Sequence, residues 1–321
     1  MKKILITGAC GQLGTELISE MSERYGSEKI IATDVREAPK ALADVHFEQL
    51  DVLDEDALRS IITRHEIGQI YHLAALLSAT AEKNISLARK LNIGSLHHVL
   101  NAARDLELER VFWPSSIAVF GPDAPSKNTP QNTALNPTTV YGITKLTGEQ
   151  WCNYYYNQFG VDVRSLRYPG LIGYKSLPGG GTTDYAVDIF HKALKDESYE
   201  SFLAENCSLP MMYMHDAVKA TLDLMEAPAE SLNIRTSYNV AAVSFTPAEI
   251  AASIQYHLPD FEITYNPDYR QKIADSWPDS IDDSVARRDW KWRHIFSLDE
   301  MVIDIIRNLP DHFDGLKKHS F

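Results

Sequence analysis

Ser115, Ser116, Tyr141 and Lys145 are the residues of this chain whose types and spacing suit one reaction. Tyr141 and Lys145 stand four apart in NPTTVYGITKLTGEQ, so a helix over 137–159 puts them on one face, where both can meet a ligand. The two serines follow the apolar run RVFWP at 110–114, so they sit at the end of a strand. A phenol, an ammonium and a hydroxyl together suit the oxidation of an alcohol. The hydroxyl proton must leave as hydride departs. A phenol has a free pKa near 10, and lowering it to about 7 costs on the order of 4 kcal/mol. Lys145 and a positively charged nicotinamide would supply that electrostatically. Tyr141 would then be the base, Ser116 would hold the alcohol or carbonyl oxygen, and Lys145 would also fix the nicotinamide ribose. An amphipathic surface pair has the same spacing. Tyr25 and Lys29 show it too, between a helix and a strand and away from the strands' carboxyl ends.

Such a trio needs a frame and a cofactor. The chain opens on MKKILITGACGQLG, an apolar run breaking into Gly8, Gly11 and Gly14. That spacing reads as a tight strand-to-helix turn whose backbone approaches a pyrophosphate at a helix N-terminus. Gln12 and Leu13 lie inside the turn. Asp34 ends the next apolar run, 20 residues after Gly14, where a carboxylate accepts hydrogen bonds from a ribose diol and repels a 2′-phosphate. NAD is therefore expected rather than NADP. Asp51 and Val52 are adenine neighbours or an Asx turn. Leu73, Ala74 and Ala75, in LAALLSA, allow close backbone approach to the dinucleotide or serve helix-sheet packing.

Up to residue 169 short apolar runs alternate with helical patterns, which predicts an α/β fold with a doubly wound parallel sheet of at least six strands. The strands fall at 3–7, 29–33, 45–50, 69–73, 110–114 and 161–168, the helices at 12–24, 54–65, 81–105 and 137–159. Residues 170–321 read as a smaller mixed lobe for the substrate, with helices near 183–196, 214–226, 246–257 and 298–308. Segments near 214–243 interleave with the sheet. The stretch YPGLIGYKSLPGGGTT, beginning at Tyr168, would line the cleft between the two.

The balance of 31 basic against 44 acidic residues, a net charge of −13, argues against nucleic acid or an anionic membrane as partner. Cys10, Cys152 and Cys207 are an odd number without CxxC spacing, which fits a reducing compartment. No apolar run nears the roughly 20 residues of a membrane span, and the first strand begins at once, so a cytoplasmic protein is expected. The eleven histidines, among them His72, His97, His98 and His215, show no ligand spacing backed by carboxylates, and no metal is expected.

TGACGQLG, the Asp34 spacing, LNIGS around Asn92, SSIAVFG and YGITK together resemble the extended short-chain dehydrogenases/reductases, the branch that contains UDP-galactose epimerase. The resemblance covers nearly the whole chain and implies Ser116, Tyr141 and Lys145 as the catalytic trio. It also implies Asn92 as the helix asparagine that supports a proton-relay water, with N-capping or core hydrogen bonding as the rival role. Phe120 departs from the usual VYG, and Ile143 and Thr144 from YGxSK; neither removes a reacting group. The resemblance further implies a homodimer through the helices bearing Asn92 and Tyr141.

YPGLIGYKSLPGGGTTDYAVDIF is similar, more narrowly, to the short-chain type of L-threonine 3-dehydrogenase, a family distinct from the zinc-dependent type. In that family the segment borders a small amino-acid pocket. This implies Gly180, Thr182, Thr183 and Asp184 as recognition residues and Trp277 as a cover for the pocket; a glycine-rich lid and a core tryptophan would show the same residues. Ser78, Thr182 and Thr183 offer hydrogen bonds to a zwitterion without burying net charge. The implied reaction oxidises the β-hydroxyl of L-threonine with NAD to L-2-amino-3-oxobutyrate. Two alternatives stand beside it: a nucleotide-sugar epimerase or dehydratase on the same scaffold, and a non-catalytic NAD-sensing regulator.

Overall fold

The computed structural model describes residues 2–314; Met1 and 315–321, the last part of the expected second lobe, lie outside the described residues. The first half runs β1 (Lys3–Thr7), α1 (Gln12–Tyr25), β2 (Ile30–Asp34), β3 (His46–Gln49), α2 (Glu55–Arg64), β4 (Ile67–His72), α3 (Ser78–Lys83), α4 (Ile85–Arg89), α5 (Ser95–Asp105), β5 (Arg110–Ser116), α6 (Val140–Phe159) and β6 (Val163–Tyr168). The second half runs β7 (Gly170–Ile172), α7 (Tyr185–Asp196), β8 (Ser198–Ser201), β9 (Leu209–Tyr213), α8 (Met214–Glu226), β10 (Tyr238–Asn239), β11 (Val243–Phe245), α9 (Pro247–His257), β12 (Glu262–Tyr265), α10 (Arg270–Ala274), α11 (Ser284–Trp290) and α12 (Leu298–His312).

Seven strands form one sheet in the order β10-β6-β5-β4-β1-β2-β3, every pair parallel. This is the expected doubly wound α/β sheet, and its order reverses between β1 and β4, which opens a crevice at their carboxyl ends. Both faces are covered, which is why β1 reads as an unbroken apolar run. Ile4 and Ile6 pack with Leu17, Met21 and Ala217 on one face, while Leu5 packs with Leu58, Ile62 and Val99 on the other. β10 joins the sheet beside β6, and α8 packs against α1, so residues after 170 complete the first layer. The second half adds a small sheet β11-β9-β7 and the pair β12-β8. Its core gathers around α7, α9 and α12, with Tyr185, Phe190, Ile254, Val302 and Ile306 buried.

The expected helix over 81–105 is broken. Helix α3 stops at Asn84, α4 follows, and residues 90–94 form a π-turn before α5. A π-turn adds a residue to one helical turn, so the side chains on either side change direction. Here it brings Asn92 back toward Leu76. Strands β7, β8, β11 and β12 and helices α10 and α11 have no counterpart in the sequence reading. They run three to seven residues, too short for a period to show.

Candidate active site

The glycine turn joins β1 to α1. Gly8 has φ of +70°, and a Cβ on it would lie 2.7 Å from the Ala74 amide nitrogen. A Cβ on Gly14 would stand 2.6 Å from the Gly8 carbonyl oxygen. Any side chain at either position closes the approach of loop, helix and β4 end. These residues open onto a cavity of about 1120 Å³ that runs from Asp34 past the glycine turn to Tyr141 and Trp277. Gly8, Gly11, Gln12, Leu13, Gly14, Asp34, Asp51, Val52, Leu73, Ala74 and Ala75 all line it. A turn that only glycine allows, a helix N-terminus and a carboxylate at the far end fit the diphosphate and ribose of a dinucleotide.

Asp34 is almost fully buried and its carboxylate is fully engaged. Oδ2 accepts from the Cys10 amide at 3.0 Å and Oδ1 from the Arg36 amide at 3.0 Å. The Arg36 guanidinium adds Nε to Oδ1 at 3.1 Å and Nη2 to Oδ2 at 3.3 Å. Burial pushes this carboxyl up, but the Arg36 and amide hydrogen bonds outweigh it and hold the pKa below the usual range. Arg36 lies two residues beyond a residue already singled out, but its type alone did not mark it. Asp51 accepts from the Leu53 amide at 2.9 Å, an Asx turn on the cavity wall.

At the other end Ser116, Tyr141 and Lys145 meet on the cavity wall. Ser116 Oγ caps a short 3₁₀ turn, accepting from the Ala118 amide at 3.2 Å, and so keeps its hydrogen for another acceptor. Helix α6 starts where Thr139 caps it, accepting from the Gly142 amide at 3.1 Å. Burial pushes the Tyr141 phenol up to about 12, and a hydrogen bond with Ser116 acts the other way. Lys145 is buried, with Nζ 2.6 Å from the Pro114 carbonyl oxygen and 4.6 Å from the centre of the Trp113 ring. Burial brings its pKa down to about 7, against the pull of Cys152 and Glu149.

Ser115 also borders the cavity, but its hydroxyl does not join those of Ser116 and Tyr141. Successive strand residues face opposite ways, and the Ser115 hydroxyl donates to Glu149 Oε1 at 2.6 Å. Glu149, one turn past Lys145 and wholly buried, also takes two bonds from Arg167, at 2.9 Å and 2.8 Å. Asn92 is not on the cavity wall. Its Oδ1 accepts from the Leu76 amide at 2.7 Å, and its Nδ2 donates to the Leu76 carbonyl and to Thr144. It braces the 73–77 loop from behind.

His72 braces the same loop from the strand side. Ser95 donates its hydroxyl to the Leu91 carbonyl, so it accepts from His72 Nε2 at 2.9 Å, and Thr7 donates to Nδ1 at 2.7 Å. Burial drives this imidazole down to about 3, so it stays neutral in that tautomer.

The segment 175–184 covers the cavity beside Tyr141. Thr182 Oγ1 lies 3.3 Å from Ser78 Oγ, and both residues line the cavity with Thr183 and Asp184. Gly180 does not line it: its amide turns onto Asp184 Oδ2 at 2.7 Å, alongside that of Gly181 at 2.8 Å. Lys175 pairs with Glu16 at 2.7 Å, and Gln12 Nε2 donates to the Leu177 carbonyl at 3.0 Å. Trp277 lines the cavity edge, and its buried indole N–H has no hydrogen-bond partner among the described residues. Tyr168 presents its ring to the cavity while its hydroxyl bonds Thr221.

Residues 4–241 match the NAD dependent epimerase/dehydratase family. The chain belongs to this family. Within it, 95% of the chain is 48% identical to the mitochondrial L-threonine 3-dehydrogenase of Sus scrofa, covering 82% of that protein. The GalE-like L-threonine dehydrogenase from Cupriavidus necator, in its holo form, is 56% identical with a TM-score of 0.94, over 96% of this chain and 99% of that one. A monomeric L-threonine 3-dehydrogenase of metagenomic origin, in its apo form, is 48% identical with a TM-score of 0.93, over 96% and 99% of the two chains.

For a family member, several residues of this site carry no sequence signal. Glu149 could have been flagged by its place four residues after Lys145, but only the fold supplies Arg167 opposite it. Phe313, past the last helix, lines the cavity and packs edge-on to His191 with ring centres 4.8 Å apart. Nothing local in the sequence ties it to Tyr141.

Proposed function

We propose that this chain oxidises the β-hydroxyl of L-threonine to L-2-amino-3-oxobutyrate with NAD. The observation that carries this is one continuous cavity with the glycine turn and Asp34 at one end, and Ser116, Tyr141, Lys145, Thr182 and Thr183 at the other. Bound NAD⁺ supplies the hydride acceptor and a positive charge beside the phenol. Without that charge, burial disfavours both tyrosinate and lysyl ammonium. Tyr141 takes the hydroxyl proton, Ser116 donates its free hydrogen to the substrate oxygen, and Lys145 holds a cation next to the phenol. Ser78, Thr182 and Thr183 hold the amino acid, Asp184 shapes their loop through the Gly180 and Gly181 amides, and Trp277 closes the pocket edge. Asn92 acts by positioning the loop that carries Leu73, Ala74 and Ala75, and Tyr168 offers its ring to the nicotinamide end.

We assign dinucleotide binding to residues up to 169 with 214–243, and substrate recognition to the remainder. Exposed Ile143 and Tyr154 on α6 support a homodimer through α5 and α6. Light scattering tests this, and a monomer is the refuting result. Among the described residues no helix is long and apolar enough to cross a membrane, and the three cysteines are unpaired. Both fit a cytoplasmic enzyme. NADH production across L- and D-amino acids, with UDP-sugars in parallel, tests the reaction: turnover of a sugar nucleotide alone overturns it.

A further inference from the structure

Far from the reacting groups, on the edge strand of the large sheet, three side chains bring ligand atoms together. His46 and Glu48 are two apart on β3 and so face the same way. His65 caps the carboxyl end of α2. His46 Nε2 lies 3.0 Å from Glu48 Oε1, and His65 Nε2 meets the same oxygen. The three ligand atoms lie within 4.8 Å of one another. Arg64 holds the other carboxylate oxygen, Oε2. The structure assigns to His46, Glu48 and His65 a binding site for a divalent transition-metal ion of the zinc class.

The chemistry of the donor set supports this. Two imidazole nitrogens and a carboxylate oxygen form the three-ligand set that zinc accepts, with its fourth position left to water. Imidazole disfavours calcium and magnesium, which take oxygen. Without an ion, each imidazole donates its Nε2 hydrogen to one shared carboxylate oxygen. An ion replaces those two hydrogens and takes the lone pairs that lie beneath them. Arg64 fixes the carboxylate while leaving Oε1 for the ion, the support that ligating carboxylates commonly receive. His46 is exposed and His65 mostly covered, so the site has an open path from solvent. No motif spacing shows this: His65 lies 17 residues beyond Glu48 and reaches it only because α2 runs back along the sheet edge.

The ion would tie together both ends of the segment whose middle, Leu50 to Leu53, forms part of the dinucleotide cavity wall. The test is calorimetric titration of zinc chloride into the EDTA-dialysed full chain at neutral pH. One zinc per chain is expected, with a rise in Tm. Arg64→Ala should weaken binding by about 10–100-fold, the effect of losing a supporting group, and His65→Gln and Glu48→Gln by more. Retained NAD binding shows that each variant is folded. Absence of zinc binding, or binding that His65→Gln and Glu48→Gln leave unchanged, overturns the assignment.

Discussion

Asp34 and Arg36 make a prediction that can be worked through in energies. The two Asp34 oxygens already take four hydrogen bonds, two of them from the Arg36 guanidinium. A ribose diol reaching this carboxylate must displace the guanidinium. The Arg36 side chain is 61% exposed, so its pair with Asp34 is worth no more than about 0.2–1 kcal/mol. Arg36→Ala should then tighten NAD by about 1.4–5-fold, since displacement is no longer needed. Asp34→Ala acts the other way. It removes hydrogen bonds to a charged acceptor worth about 1.5–3 kcal/mol, which weakens NAD by about 10–150-fold. It also frees Arg36 beside the place a 2′-phosphate would occupy, so NADP should gain while NAD loses. Calorimetric titration of both dinucleotides into wild type and the two variants measures this. An NAD to NADP affinity ratio unchanged in Asp34→Ala would remove Asp34 from the ribose site. NAD binding weakened by Arg36→Ala would mean that Arg36 grips the cofactor rather than competing with it.

Three further outcomes follow from the site. Tyr141→Phe should lower kcat by at least about 10²–10⁴-fold, the range for a general base, while NAD titration stays near wild type; retained turnover refutes the assigned base. Glu149→Gln leaves Arg167 buried without its countercharge and should cost about 3–5 kcal/mol in denaturant unfolding; a change of a few tenths would show that the pair is not a structural support. Lys145→Met should abolish activity yet change the pH dependence of stability. The folded lysine sits at about 7 against an ordinary value of 10.5, so between those values the unfolded chain binds more protons and wild-type stability rises with pH. The methionine variant lacks that rise, so its Tm advantage over wild type should be greatest near about pH 6 and shrink toward about pH 9. An advantage that grows with pH refutes a buried lysine with a depressed pKa.

What the sequence shows well is what neighbours along the chain decide. The turn from β1 to α1 is legible because glycine spacing, an apolar run and a helical period lie within 14 residues. Tyr141 and Lys145 are legible because a helix turns four residues into neighbours. The break at Asn84 and the π-turn at 90–94 are not, since the apolar pattern runs through both and only tertiary bonds from Asn92 to Leu76 and Thr144 reveal the change of phase. Adjacency in the chain puts Ser115 beside Ser116 on the cavity wall, but strand alternation sends the Ser115 hydroxyl to Glu149. Adjacency likewise puts Gly180 beside Thr182, yet its amide bonds Asp184. Arg167 and Phe313 lie outside any local pattern; the sheet carries Arg167 to Glu149, and the last helix carries Phe313 to the cavity wall.

The segment over the substrate end of the cavity is fastened by Lys175 to Glu16 and by the Leu177 carbonyl to Gln12. Both anchors belong to α1, the helix whose first turn faces the diphosphate. One segment therefore ties the two ends of the cavity together: whatever shifts the first turns of α1 at the dinucleotide end also shifts the wall around the amino acid.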